Sequence, residues 1–442
     1  MCNDNALILK LQSVLSLQKI GWKDFRYGDA HFVYAERQRA APGGYIVGMT
    51  FQADLSNPYL RQAVELRDLF ARDAIERDKA GGKPLEQYQQ IKDSGLLRLG
   101  IPAQHGGAGQ PWSTALRVVR EFAQADGSMA HLFGYHGSSL HSAHVLSSPQ
   151  QAAQLYAASA EGNWFWANNS NAGARSLTGR WQGDHWILNG SKPYTSGSHV
   201  ADHLHITWVD EESGETIDAA IPAGRAGWKA LDDWDAFGQR QTGSGTCSYE
   251  NVRVEAHEVY ERRSATPRAP YRTLIPFVQQ SVLLNVFLGT AQGALLRARE
   301  YSLNDSRPWV HSGVERHVDD PWVKRVYGDL YTRTLAATAL ADQALDVLDR
   351  VWARGEALTA AERGEAAIPL AAANAFAGNT ALDVTSKIFE VTGTRSTSNE
   401  LGLDRFWRNV RTHTLHNPEE YKTRNVGYWF LTGEPPVPSG IQ

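Results

Sequence analysis

Five short stretches of this chain concentrate the side chains able to do chemistry. Ala125 to His136 places His131 and Tyr135 four residues apart, on one face of a helix. Asn163 to Asn171 passes from aromatic residues into amides and a hydroxyl, Asn168, Asn169 and Ser170. Leu188-Asn189-Gly190-Ser191-Lys192-Pro193-Tyr194-Thr195-Ser196-Gly197 puts an amine, a phenol and three hydroxyls within ten positions. Asp232-Asp233-Trp234 is followed by Gly238-Gln239-Arg240-Gln241-Thr242. Asp404 to His416 carries arginines, Trp407, His413 and His416. Hydroxyls, amides, guanidinium groups and imidazoles beside flat aromatic surfaces are what a flavin requires: hydrogen bonds to its ring, charge for a phosphate, dry walls. The same stretches also suit ordinary packing of histidines and aromatics in a core. The 14 tryptophans fit either account.

Several chemistries lack their motifs. There is no GxxxxGK[ST] phosphate loop, no GxSxG nucleophile elbow and no GxGxxG after a strand. His413 and His416 stand at i, i+3, a spacing able to bridge a metal, but no HExxH or 2-His-1-carboxylate pattern accompanies them, so no metal is expected.

The elements that must hold these groups follow from periodicity. From Pro58 to about Ala160 the pattern is helical, with Leu60, Ala63, Val64, Leu66, Leu69 and Phe70 at three- and four-residue steps. Ser148-Pro149-Gln150-Gln151 predicts a helix start. From about Ala167 to His257 short strands are predicted: Trp186 to Asn189 ending in an Asn-Gly turn, then a hairpin from His203–Val209 and Ile217–Ile221 across Glu-Glu-Ser-Gly-Glu. From Leu274 helices return, with a stripe of Leu340, Ala344, Leu345, Leu348 and Val351, a capping box at Thr359–Glu362, and an alanine-rich helix from Ala366 to Phe389. The expected organisation is a tail or extension over 1–48, a helical domain over 49–165, a β domain over 166–268 and a helical bundle over 269–442. Residues 1–48 lie ahead of Met49, a plausible start of translation, and carry no signal-peptide pattern.

Composition bounds the rest. The chain has 442 residues, 42% hydrophobic and 21% charged, ordinary for a globular protein. A net charge of −4 gives no basic surplus for nucleic acid. The most apolar stretch, Ser281 to Leu296, is interrupted by Asn285, Thr290 and Gln292 and reads as a buried helix, not a membrane span. Two isolated cysteines give no disulfide framework, which fits a reducing cytoplasm.

The segment LNGSKPYTSG resembles the β-domain stretch of the acyl-CoA dehydrogenases that runs along the flavin ring. ERDKAGG, SGLLRLGIPAQHGG, ADGSMAHLFGYH, DDWDAFGQRQT, DSRPW and LDRFWRNVRTHTLH extend the likeness to the dibenzothiophene monooxygenases, a branch of that superfamily, continuously from about residue 57. The resemblance implies a mostly helical chain with a central β-barrel or sandwich domain and a C-terminal four-helix bundle. It implies a two-component enzyme. A separate NAD(P)H:flavin reductase supplies reduced FMN transiently; O2 is the co-substrate; a C4a-hydroperoxyflavin passes oxygen to a small organosulfur compound. It also implies a homotetramer.

Carried over by position, the implied flavin contacts are Tyr135, Asn168, Asn169, Ser170, Lys192, Tyr194, Thr195, Ser196, Trp234, Arg307, Thr394, Arg395 and His416, with Arg307 on the phosphate. The implied catalytic residues are Ser196 near the ring, His416 as proton donor, and His131 and Asn168 completing a polar wall; His413 is a positioning residue. Tyr194 departs from the Phe of these monooxygenases and the Trp of the dehydrogenases, and Asn169 to Gly173 departs from the loop that closes over the substrate. Two other readings stay open. An acyl-CoA dehydrogenase needs a glutamate base that no YEGT-like run supplies, and an N- or aromatic C-hydroxylase would use the same oxygen chemistry. A catalytically silent flavoprotein of this fold is a third.

Overall fold

The computed structural model describes residues 51–171, 173–260 and 269–438. The expected extension at 1–48 lies outside them. Six helices come first: α1 (Pro58–Phe70), α2 (Ala74–Ala80), α3 (Leu85–Ser94), α4 (Trp112–Ala125), α5 (Gly127–Leu146) and α6 (Pro149–Gly162). The local signals explain their ends. Asn57 caps α1 by accepting from Tyr59 and Leu60 N–H groups, and Ser148 caps α6 ahead of Pro149.

Seven strands follow: β1 (Trp166–Asn169), β2 (Leu177–Trp181), β3 (His185–Lys192), β4 (His203–Asp210), β5 (Thr216–Pro222), β6 (Trp228–Ala230) and β7 (Cys247–Glu255). They form one sheet in the order β1-β4-β2-β3-β7-β6, with β5 paired to β4. The β4–β5 hairpin is the one the sequence predicts, registered Val209 to Thr216. Asn189-Gly190 is not the turn expected. β3 continues through it to Lys192, because β7 pairs with both sides of the interruption. Gly190 takes φ +123°, closed to other residues, and the register shifts there as in a β-bulge.

Five helices complete the described chain: α7 (Ile275–Asn304), α8 (Pro321–Ala353), α9 (Ala360–Thr392), α10 (Asp404–Thr414) and α11 (Glu419–Thr432). The Thr359–Glu362 capping box opens α9 as expected. The α7 helix is long and apolar enough to cross a bilayer, yet 83% of its most apolar window is buried inside the fold, as for a core helix. It packs on α4, α5 and α9. The approach to α5 is close because of Gly134: a Cβ there would lie 2.3 Å from Val282 Cγ1. The architecture is mostly α with a central β module, and its helical core is continuous from Leu60 to Val410. The β module keeps a second core of Leu177, Leu188, Leu204, Ile206, Trp208 and Val252.

Candidate active site

The helix α5 presents His131 and Tyr135 to the meeting of the β module and α10. Their i, i+4 spacing stacks the two rings, with centroids 4.2 Å apart. Asp126 caps α5 through the N–H groups of Ser128 (2.9 Å) and Met129 (3.1 Å). Its carboxylate pairs with Arg77, which also donates to Gln241 Oε1 at 2.7 Å, so the start of α5 is tied to the loop before β7. From the other side α10 brings His413, whose ring stacks on His131 at 4.6 Å. Asn409 of α10 accepts from Gln239 N–H at 2.7 Å, fixing the same loop.

Ser196 completes the group. His131 Nε2 lies 3.0 Å from Ser196 Oγ, and Ser196 Oγ lies 2.6 Å from Ser244 Oγ. The Asn168 backbone N–H donates to the Ser196 carbonyl at 3.3 Å, so strand β1 braces the serine. The Asn168 side chain turns to its own loop, accepting from Ser170 N–H (3.1 Å) and Ser170 Oγ (2.5 Å). His416 follows α10; its backbone N–H donates to His413 O at 3.0 Å.

Burial sets the electrostatics. His131 is pushed down to about 3 by desolvation first and by His416 second, so its imidazole is neutral at any working pH. His413 is driven well below the ordinary value by burial, then by His131 and His416. The Tyr135 phenol is raised by burial. His416 stands at an exposed rim; the protein mass around it, then Lys422, lowers it. Three buried polar atoms here have no hydrogen-bond partner among the described residues: Tyr135 OH, His131 Nδ1 and His413 Nδ1. Native interiors seldom leave such groups unpaired. Three of them beside stacked rings fit a planar ligand that hydrogen-bonds along its edge, which is what an isoalloxazine ring is.

The other residues singled out from sequence are distributed as follows. Thr195 is buried and donates to Gly245 O at 2.9 Å. Tyr194, 63% exposed with φ +60°, meets Trp234 edge-on at 6.4 Å, and Trp234 Nε1 donates to Gln239 O at 2.9 Å. Trp234 also lines an open cleft of about 380 Å³ with Lys83, His199, Asp232, Arg240 and Gly243. Asn169 faces the opposite side of β1 from Asn168, as strand alternation demands. Its amide is taken up by Tyr249 OH (3.1 Å) and Ser198 Oγ (2.8 Å), so the structure does not bring that side chain to the His131–Ser196 group. Lys192 is also directed inward: 1% exposed, it donates to Ala174 O at 2.8 Å, and burial lowers it to about 8. Arg307 is exposed on the loop after α7. Thr394 and Arg395 occupy the turn after α9, and Arg395 donates to Asp305 O at 2.8 Å, beside that loop. The candidate site therefore has an inner group around His131 and a separate basic group at the ends of α7 and α9.

Sequence reasoning passed over Ser244, Glu419 and Lys422. Ser244 carries no local pattern. Glu419 and Lys422 do, because they continue the three-residue spacing of His413 and His416. Glu419 is buried and pushed up to about 7 by desolvation, with Lys422 pulling the other way; Lys422 is itself lowered to about 8 by burial.

Residues 62–163 match the family described as "Acyl-CoA dehydrogenase, N-terminal domain", and residues 282–418 match "Acyl-CoA dehydrogenase, C-terminal domain". The chain is 40% identical to the probable FMNH2-dependent monooxygenase SfnC of Pseudomonas putida over 385 residues, 86% of this chain and 97% of that protein. It is 40% identical to the dibenzothiophene monooxygenase of Rhodococcus erythropolis over 380 residues, 83% of this chain and 91% of that protein. The solved structure of the methanesulfinate monooxygenase MsuC from Pseudomonas fluorescens superposes with a TM-score of 0.85 at 39% identity, covering 87% of this chain and all (100%) of that one.

Proposed function

This chain belongs to the acyl-CoA dehydrogenase family, and on that premise we propose that it is an FMNH2-dependent monooxygenase that oxygenates a small organosulfur compound. Relatives named for FMNH2, dibenzothiophene and methanesulfinate support the reading. The structural observation that carries it is the set of partnerless buried atoms, Tyr135 OH, His131 Nδ1 and His413 Nδ1, gathered at one oriented serine. When bound, reduced FMN supplies the electrons that divide dioxygen, one atom entering the substrate and the other leaving as water.

The chain's own residues do the remainder. Stacked His131, His413 and Tyr135 give a dry wall whose edges hydrogen-bond to the ring. Ser196, held by Asn168 N–H and by His131, presents its hydroxyl at a fixed position. His416 at the rim would pass a proton to the departing oxygen; its lowered pKa favours the neutral imidazole at rest and makes the charged form the stronger acid. Arg307 is a permanent planar cation suited to the phosphate, with Arg395 on the neighbouring turn. A neutral imidazole wall suits transfer of an electrophilic oxygen to a sulfur lone pair. A dehydrogenase would need a carboxylate there. Glu419, the buried carboxyl of this segment, packs against Gly378 of α9, with Lys422 and Arg411 as its cationic neighbours.

The test supplies purified protein with FMN, NADH and a generic NAD(P)H:flavin reductase, the transient partner of this reading, under 18O2. Dibenzothiophene, methanesulfinate, dimethyl sulfone, indole and acyl-CoA are offered in parallel. One 18O atom per turnover in a sulfur product is expected. Enoyl-CoA formation, or hydrogen peroxide alone with every sulfur compound, would refute the proposal.

A further inference from the structure

The segment bearing Ser196 is fastened on both flanks to the loop before β7. Thr195 N–H donates to Gly245 O at 3.1 Å and Gly197 N–H to Thr242 O at 3.0 Å. Between those two backbone bonds runs a line of side-chain hydrogen bonds, and its far end sets the direction of the whole. The Gln239 carbonyl oxygen only accepts, so the Thr242 hydroxyl, 3.0 Å away, spends its one proton there. Thr242 must then accept from Ser244, 2.7 Å away. Ser244, its proton spent, accepts from Ser196 at 2.6 Å. Ser196, its proton spent in turn, accepts from His131 Nε2–H at 3.0 Å. Reversing the whole line would take the Thr242 proton away from Gln239 O and leave those two oxygens 3.0 Å apart with no proton between them. All four side chains are buried: Thr242 1%, Ser244 7%, Ser196 7% and His131 4% exposed. Water does not rescue a reversed link there.

His131 therefore carries its proton on Nε2, and its partnerless Nδ1 is a bare lone pair. Ser196 keeps one free lone pair and has no proton to give. We propose that Ser244, with Thr242 behind it, is a positioning residue that makes Ser196 and His131 Nδ1 accept hydrogen bonds from the ring and donate none, and that these two acceptors thereby select reduced over oxidised FMN. The inference rests on the flavin reading above and deepens it. The two redox forms differ in the relevant atoms: the reduced ring bears N–H where the oxidised ring has a nitrogen lone pair. A wall of lone pairs attracts the first and repels the second. The enzyme of a two-component system meets both forms, because its reductase works from a pool of oxidised FMN. Discrimination of this kind keeps that pool from occupying the site.

The experiment measures Kd for FMN and, anaerobically, for dithionite-reduced FMN, in wild type, Ser244→Ala, Thr242→Val and Ser244→Thr. Either loss of a relay hydroxyl lets Ser196 turn its proton into the site. One contact then passes from repulsion to attraction for oxidised FMN, and the preference for the reduced form should fall by about tenfold, the scale of a single buried hydrogen bond. Oxidised FMN should bind more tightly than in wild type, an outcome that mere damage does not give. Ser244→Thr should restore the preference. A ratio within twofold of wild type in both relay variants, or equal loss of both affinities, overturns the proposal. Should neither variant fold, 15N spectra of histidine-labelled wild type without flavin decide it, with His131 assigned by His131→Gln: a proton on Nδ1 overturns the relay, and one on Nε2 supports it. Failure of wild type to bind either flavin would instead overturn the functional reading itself.

Discussion

Replacing Glu419 by glutamine should stabilise the protein near neutral pH and leave it little changed in acid. Glu419 is 8% exposed, and its Oε1 has no hydrogen-bond partner among the described residues. It fits against α9 because residue 378 is glycine; a Cβ there would lie 1.7 Å from that oxygen. Burial moves the carboxyl from 4.5 up to about 7, against the pull of Lys422. The folded state thus holds a proton over a range in which the unfolded chain has released it, so stability is full below about 4.5 and falls as pH rises towards 7. A shift of roughly 2.5 units at 1.36 kcal/mol each gives about 3 kcal/mol. With an unfolding entropy of ~2.1 cal/mol/K per residue, a chain of this size changes Tm by about 1 °C per kcal/mol. Glutamine keeps the shape and removes the charge. The Tm of Glu419→Gln minus that of wild type, read at one scan rate, should therefore grow by about 3 °C between pH 5 and pH 8. A difference that stays constant, or shrinks, would mean the carboxyl is ionised and paired in the folded protein. The same variant separates the reactions: oxygenation of a sulfur substrate should persist, whereas a dehydrogenase using Glu419 as base would lose turnover.

Two further outcomes are expected. Arg307→Ala should raise the Kd for FMN by about tenfold or more, as loss of a charge-assisted phosphate contact does, while riboflavin, which lacks the phosphate, should bind wild type and variant alike; equal effects on both would remove the arginine from phosphate binding. Gly134→Ala forces a methyl against Val282 at the α5–α7 contact and should cost about 1–3 kcal/mol, seen as a lowered Tm with the His131–Tyr135 pair displaced; an unchanged Tm would show that the two helices have room to part.

Much of the fold was legible because local chemistry and tertiary packing agree. Ser148-Pro149 and Thr359–Glu362 open the helices they predict, since the orphan N–H groups at a helix start leave few alternatives. The β4–β5 hairpin was legible for a similar reason: the polar Glu-Glu-Ser-Gly-Glu run can bridge two apolar strands. Asn189-Gly190 misled because its meaning depends on a strand more than fifty residues away. With β7 pairing on both sides of it, a dipeptide able to turn becomes a bulge.

The candidate site divides along the same line. His131 and Tyr135 were legible as an i, i+4 pair and stack as one. Asn168 and Asn169 were not separable by type, and strand alternation turns the Asn168 side chain to Ser170 in its own loop and the Asn169 side chain into the module's interior. The relay was the least legible part. Ser196 and Ser244 stand 48 positions apart, and nothing about either serine announces the other. What gives the line its direction is not a side chain at all but the carbonyl of Gln239, set by φ +54° and by Asn409 on α10, where Trp234 and Thr242 both donate. A main-chain oxygen has no residue type, so the group that polarises this wall leaves no mark in the sequence. The types of the reacting residues can be read from the chain; the protonation of the wall they form depends on where the backbone turns its acceptors.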